Sequence, residues 1–172
     1  MAEFLSFLNK REDVKNPEEI KLELYGCPKP EVVEAAKKAV KLTMQEMQYN
    51  GHPPPLRIAE GVVNDKYAGV IAGVFEWATE SVVIGQGTLQ SLLRAGVSAP
   101  DEALAALVAS EETAHYIQYK LGRGSRELFL DVDAAAHYEH PTEKEAGAVS
   151  IRVANKLFPH IGFSRTRQGI EE

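Results

Sequence analysis

The residues best suited to do chemistry lie close together in the run S-E-E-T-A-H-Y-I-Q, residues 110–118. At about 100° per residue of helix, Glu111 and His115 lie on one face and Glu112 lies at its edge. Apolar residues of the preceding turns fall in the same arc, so this face is predicted to point into the core. Buried charged groups are costly unless they are paired or bind a metal ion. The pattern therefore predicts that further polar groups from elsewhere in the chain surround Glu111 and His115.

A further carboxylate, Glu145, lies thirty residues beyond His115, in the segment that opens the last predicted helix. Its simplest explanation is structural, since Thr142 and Glu145 have the spacing of a capping box. Glu111 and His115 are one turn apart and can likewise satisfy each other as an ion pair. The E-x-x-H spacing from Glu112 to His115 is also common by chance. On the residues alone, both the structural and the chemical interpretation stay open.

Three helices that would position these residues follow from apolar spacing and from helix-breaking residues. Apolar positions at helical spacing predict a helix from about Pro30 to Tyr49, which the prolines at 53–55 end. Start and stop signals predict a second helix over about 100–121, which carries the S-E-E-T-A-H run. A third helix is expected over about 142–157, with a short helix at 88–95.

The stretch between the first two long helices is rich in β-branched and aromatic residues. Short runs at 56–59 and 67–73, together with the run from Val74 to Ile84, predict a small antiparallel sheet of about three strands. The G-Q-G run at 85–87 closes this sheet and is more typical of a turn than of a dinucleotide-binding loop. The fold class expected is therefore α+β.

The whole chain of 172 residues is expected to form one domain, residues 1–172. Residues 1–28 form an N-terminal arm in this interpretation, with a helix start at about 16–19 whose helical piece ends by Tyr25. A loose tail is expected over 164–172.

The composition argues against several classes of protein. A net charge of −6 without a Lys/Arg run argues against nucleic-acid binding, and no apolar run approaches the ~20 residues that span a bilayer. The single cysteine, Cys27, cannot form an internal disulfide framework or a cysteine-rich zinc module. A soluble cytoplasmic protein without membrane or nucleic-acid partners is expected, and its oligomeric state stays open.

The layout over roughly residues 56–158 resembles the gluzincin branch of the zincin metallopeptidases. In that family a sheet edge precedes a helix with H-E-x-x-H, and a later helix supplies a glutamate. The resemblance implies a zincin-like fold, with His115 as the second histidine of the motif, Glu112 as general base and Glu145 as a metal ligand. It also implies that a peptide or protein lies along the strand 74–84 as an added strand.

One departure from the family pattern is Glu111, which stands where the motif has its first histidine. A carboxylate can ligate zinc, so Glu111, His115 and Glu145 can still form a three-ligand set for peptide-bond hydrolysis. Two anionic ligands also suit manganese or iron. Zinc, manganese, iron and a metal-free ion pair stay open, and the last of these implies a catalytically inactive zincin-fold protein that binds a peptide or protein.

Other arrangements around the same histidine also stay open. His137 and His140 have His-x-x-His spacing and can join His115 as an all-imidazole site, although histidines beside Pro141 are commonly exposed. A di-iron carboxylate bundle also uses Glu-x-x-His, but it needs the motif twice. Small proteins of the family can be held inactive by a terminal segment, and nothing selects between the apolar residues at 4–8 and the tail.

Overall fold

The structure is a computed structural model, which describes residues 19–65, 69–93, 98–124, 139–166 and 169–171. Its long helices are α1 Pro30–Glu46, α2 Asp101–Lys120 and α3 Pro141–Leu157, and a 3-10 helix covers Gln86–Leu92. Its strands are β1 Leu22–Tyr25, β2 Leu56–Ala59, β3 Val63–Asp65, β4 Gly69–Ile71, β5 Gly73–Glu76, β6 Ser81–Gly85, β7 Ser164–Thr166 and β8 Gly169–Glu171.

The main sheet has four strands in the order β1-β2-β6-β5. The α+β class is confirmed, but the prediction of an antiparallel sheet of about three strands is wrong. β1 pairs parallel to β2 and β2 pairs parallel to β6, while only β5 and β6 are antiparallel. Parallel neighbours need a long crossover connection, and α1 supplies one between β1 and β2. The sheet is therefore mixed.

The run 74–84 forms a hairpin, although the sequence pattern predicted one strand. Residues 77–80 form the turn that joins β5 to β6, with Glu80 in the left-handed region at a φ of 51°. Phe75 pairs with Val82 across the hairpin. β6 lies inside the sheet between β2 and β5, so β5 is the outer strand on this side among the described strands.

α2 is the central helix of the domain. It lies against α1, α3, β5 and β6, and every residue from 103 to 110 is buried. Burial on all sides is expected only of a helix enclosed by other elements. Leu56 and Ile58 of β2 and Val82 and Ile84 of β6 belong to the same fully buried core. This core includes residues 103–109 in the N-terminal half of α2, and the residues with candidate chemistry follow in the C-terminal half.

Gly73 of β5 lies directly against α2. A Cβ atom at this position would lie 2.1 Å from Val108 Cγ1 and 3.0 Å from the carbonyl oxygen of Val83. We therefore expect Gly73→Ala to lower the free energy of unfolding by about 1–3 kcal/mol, as overpacking typically does. Gly61→Ala is the matched control, because nothing lies within 4 Å of its added Cβ. Equal urea midpoints for the two variants would contradict this packing.

The three predicted long helices are confirmed, with ends that differ by a few residues. The prediction of a helical piece that ends by Tyr25 is wrong over its last residues, because Leu22–Tyr25 form strand β1. Residues 1–18, including the apolar residues of the arm, lie outside the described part. The predicted tail contains β7 and β8, which pair antiparallel. Among the described residues, no helix has the length and apolar character needed to cross a membrane.

Candidate metal centre

Two adjacent helices bring one histidine and two glutamates together. Glu111 and His115 come from α2 and Glu143 from the first turn of α3, and one ligand atom of each lies within 4.8 Å of the others. His115 Nε2 lies 3.3 Å from Glu143 Oε1, and these two side chains are 11% and 7% exposed. The sequence prediction that Glu111 and His115 share an inward face is confirmed. The group that meets them is Glu143.

The start of α3 decides which glutamate faces α2. His140 is the N-cap, with its Nδ1 accepting the backbone N–H of Thr142 at 3.3 Å, and Pro141 takes the first helical position. The predicted capping box of Thr142 and Glu145 is therefore not the observed cap. His140 Nδ1 also lies 2.6 Å from the Thr142 hydroxyl, and its proposed partner His137 lies outside the described residues. Capping is the role the structure shows for His140.

Glu145, the predicted third ligand, lies outside the 4.8 Å group. Its carboxylate accepts Gln118 Nε2 at 2.9 Å and Arg123 at 3.1 Å. Residues two apart on a helix point in different directions, so Glu143 and Glu145 do not face α2 in the same way. Helical spacing could have found Glu143, since it lies in line with the buried Ala146 and Ser150.

Glu112, the predicted general base, lies against the outer strand of the sheet. Its Oε2 accepts the backbone N–H of Phe75 in β5 at 2.8 Å. Burial raises the pKa of Glu112 to about 7, an effect that the positive charge of His115 opposes and the charge of Glu111 reinforces. A carboxyl group with a pKa near neutrality can both take up and give back a proton at physiological pH.

The electrostatics of His115 are set by the carboxylates around it. Burial alone would lower its pKa, but the hydrogen bond to Glu143 and the charges of Glu112, Glu143 and Glu111 outweigh burial and raise it to about 9. The imidazole is therefore protonated at neutral pH when no metal is bound. Among the described residues, three carboxylates, those of Glu111, Glu112 and Glu143, act on this one imidazole.

Gln118 is a site residue that the sequence analysis did not single out. It lies one turn after His115 on α2, and its Oε1 is 3.0 Å from His115 Nδ1. Its side-chain nitrogen donates to the carbonyl oxygen of Thr142 and to Glu145, both at 2.9 Å. The available signal was its i, i+3 spacing from His115, which places two side chains of a helix in contact.

Glu111, His115 and Glu143 form a set of three potential metal ligands, and the neighbouring Glu112 contacts the outer strand β5. Comparison of the chain with protein-family models, with curated proteins and with solved structures gave no match. Perturbed pKa values in a cluster of this kind are typical of functional sites, although structural ion pairs perturb pKa values too.

Proposed function

We propose that this chain is a zincin-like, metal-dependent hydrolase of peptide bonds, with a divalent ion held by Glu111, His115 and Glu143. The observation that carries the proposal is the convergence of these three ligand atoms within 4.8 Å of one another. Ligands about 2.0–2.2 Å from a tetrahedral ion lie about 3.5 Å apart. His115 Nε2 and Glu143 Oε1 already have nearly that separation, at 3.3 Å.

The donor set fits a divalent ion of intermediate hardness. Two carboxylates and one imidazole are ligands that zinc, manganese and iron(II) all accept. Glu143 takes the place that the family resemblance gave to Glu145, because Glu145 is already bound by Gln118 and Arg123. A metal ion held here would polarise the substrate carbonyl and make a water molecule easier to deprotonate.

Glu112 is the residue proposed to move the proton. It takes a proton from the attacking water as the water oxygen bonds to the carbonyl carbon. It then gives that proton to the amide nitrogen as the C–N bond breaks. Its pKa of about 7 suits both steps, since the carboxyl group is neither a very weak base nor a very weak acid at neutral pH.

The outer edge of β5 is the proposed peptide-binding surface. The N–H of Gly85 donates to the carbonyl oxygen of Ala72. Hydrogen-bonded and non-hydrogen-bonded residue pairs alternate along an antiparallel ladder. The backbone N–H and C=O groups of Gly73 and Phe75 therefore point away from β6. An extended peptide can pair with those groups as an added strand.

The contact between Glu112 and Phe75 links peptide binding to the proton-transfer step. The N–H of Phe75 is the donor that an added strand would use, and Glu112 now accepts it at 2.8 Å. A peptide carbonyl that takes over this N–H releases the Glu112 carboxylate beside the bound chain. Binding at the edge would therefore deliver substrate and free the base together.

A second candidate is a protein of the same fold that binds peptides without cleaving them. The observation that favours it is the close contact between His115 and Glu143, with a pKa of about 9 for His115. A proton on His115 can hold this cluster together where a metal ion otherwise would. The edge of β5 would keep its binding role in such a protein.

We expect Glu112→Gln to lose at least about 100-fold of the peptidase rate while it keeps the bound metal, because a general base contributes about 100- to 10,000-fold. The assay is mass spectrometry of a pooled peptide library after incubation with protein loaded with zinc, manganese or iron(II). Glu34→Gln, on the exposed face of α1, is the control and should retain full activity.

Two outcomes of this assay would contradict the hydrolase. One is equal cleavage by the wild-type protein and Glu112→Gln. The other is the absence of cleavage under all three metals, and peptide binding by the same protein would then support the binding protein instead.

A further inference from the structure

We propose that Gln118 is a positioning residue that holds the proton of His115 on Nδ1 and so leaves Nε2, which faces Glu143, available to a metal ion. The inference deepens the proposed function, because it names what keeps the histidine ready to ligate a metal ion. Which ring nitrogen of His115 carries the proton can be measured without any metal.

The orientation of the Gln118 amide follows from its contacts with α3. Gln118 has one group that only donates and one that only accepts. The atom 2.9 Å from the backbone carbonyl oxygen of Thr142 must be the nitrogen, because a carbonyl oxygen cannot donate. The oxygen of Gln118 therefore faces His115 Nδ1 at 3.0 Å, and Nδ1 must carry the proton that it accepts.

Burial makes this arrangement strong. Gln118 is 1% exposed, so water does not compete for its amide. Its nitrogen also donates to Glu145, whose carboxylate is held on the other side by Arg123 at 3.1 Å. Hydrogen bonds in such a chain polarise one another in a medium of low dielectric constant. Glu145 thus supports the site from outside the group of metal-ligand atoms.

The carboxylates of the site would otherwise favour the opposite tautomer. Glu143 lies 3.3 Å from Nε2 and attracts a proton to that nitrogen. A neutral imidazole with its proton on Nε2 has no lone pair there for a metal ion. By accepting from Nδ1–H, Gln118 opposes this preference and leaves the Nε2 side of the ring for a metal ion. Partners of this kind commonly change metal affinity by about 10- to 100-fold.

The experiment measures the tautomer of His115 by long-range ¹H–¹⁵N NMR in the metal-free full-length protein, at a pH where the ring is neutral. We expect the Nδ1–H form in the wild-type protein. Gln118→Met, which has no strong acceptor, should shift the ring toward Nε2–H. Gln45→Met, on the exposed face of α1, is the matched control.

A second measurement is zinc affinity by competition with a chelator, where Gln118→Met should lose about 10- to 100-fold. An Nε2–H tautomer in the wild-type protein, or an unchanged tautomer in Gln118→Met, would overturn the inference. If Gln118→Met does not fold, the tautomer measured in the wild-type protein still tests whether Gln118 holds the proton on Nδ1. Wild-type protein with Nδ1–H but no metal affinity would refute the hydrolase and leave the role of Gln118 intact.

Discussion

Glu111→His is expected to bind zinc about 100-fold more tightly than the wild-type protein. Zinc prefers nitrogen over a second carboxylate, and the substitution creates two imidazoles one turn apart on α2. Position 111 already places a ligand atom within 4.8 Å of His115 and Glu143. The change also removes one negative charge from a cluster in which carboxylates predominate. Both effects favour a zinc site with two histidines and Glu143.

The measurement is a zinc titration in competition with a chromophoric chelator. Glu34→His introduces the same residue on the exposed face of α1 and should leave the affinity unchanged. A Glu111→His variant that folds but binds zinc no better than this control would remove Glu111 from the ligand set. It would also count against the zincin-like arrangement as a whole.

The metal-free protein is expected to lose stability as the pH rises from about 4.5 to about 9. His115 has a pKa of about 9 in the folded state against 6.5 for its ordinary value. Its contribution is fully present below pH 6.5 and is lost as the pH rises through 9. The pKa of Glu112 is raised from 4.5 to about 7, so its buried neutral form also favours folding at low pH. The two groups act in the same direction.

The expected loss is a few kcal/mol, since one pKa unit corresponds to about 1.4 kcal/mol and the two groups interact. The pKa values of Glu46 and Asp101 are lowered, so these groups act on stability below this pH range. Urea unfolding in the presence of EDTA measures the effect. Glu112→Gln should flatten the part of the curve below about pH 7, whereas a wild-type stability that rises toward pH 9 would contradict the electrostatics.

The helical part of the fold could be predicted because each long helix carries its own signals. Prolines mark its start or follow its end, and apolar residues recur at helical spacing. The position of Glu111 and His115 on one inward face followed from the same spacing. This inference needed no knowledge of the neighbouring elements, since the helix alone sets which of its side chains share a face.

The sheet could not be predicted in the same way because strand pairing depends on residues distant in sequence. β1 is four residues long with two exposed members, and its alternating L-E-L-Y pattern follows a stronger helix-start signal. Its parallel pairing with β2 arises only when α1 folds back as a crossover. The turn inside 74–84 was hidden because residues 77–80 include no glycine, proline, asparagine or aspartate, and Val74, Phe75 and residues 82–84 on either side are typical of strands.

The third residue of the site, Glu143, could not be predicted from the sequence either. Glu143 and Glu145 both occur in T-E-K-E-A, and the choice between them depends on where α3 begins. His140 caps the helix, which a search for Ser, Thr, Asp or Asn caps does not find. Gln118 was missed because its role appears only when α3 lies beside α2.

The metal content of the wild-type protein tests the central claim most directly. Elemental analysis, after purification and after incubation with zinc, manganese or iron(II), is expected to give about one ion per chain. His115→Ala should remove that ion, and His160→Ala, at an exposed histidine, should retain it. A wild-type protein that stays metal-free with all three ions, or a His115→Ala variant that binds metal as well as the wild type, would contradict the account.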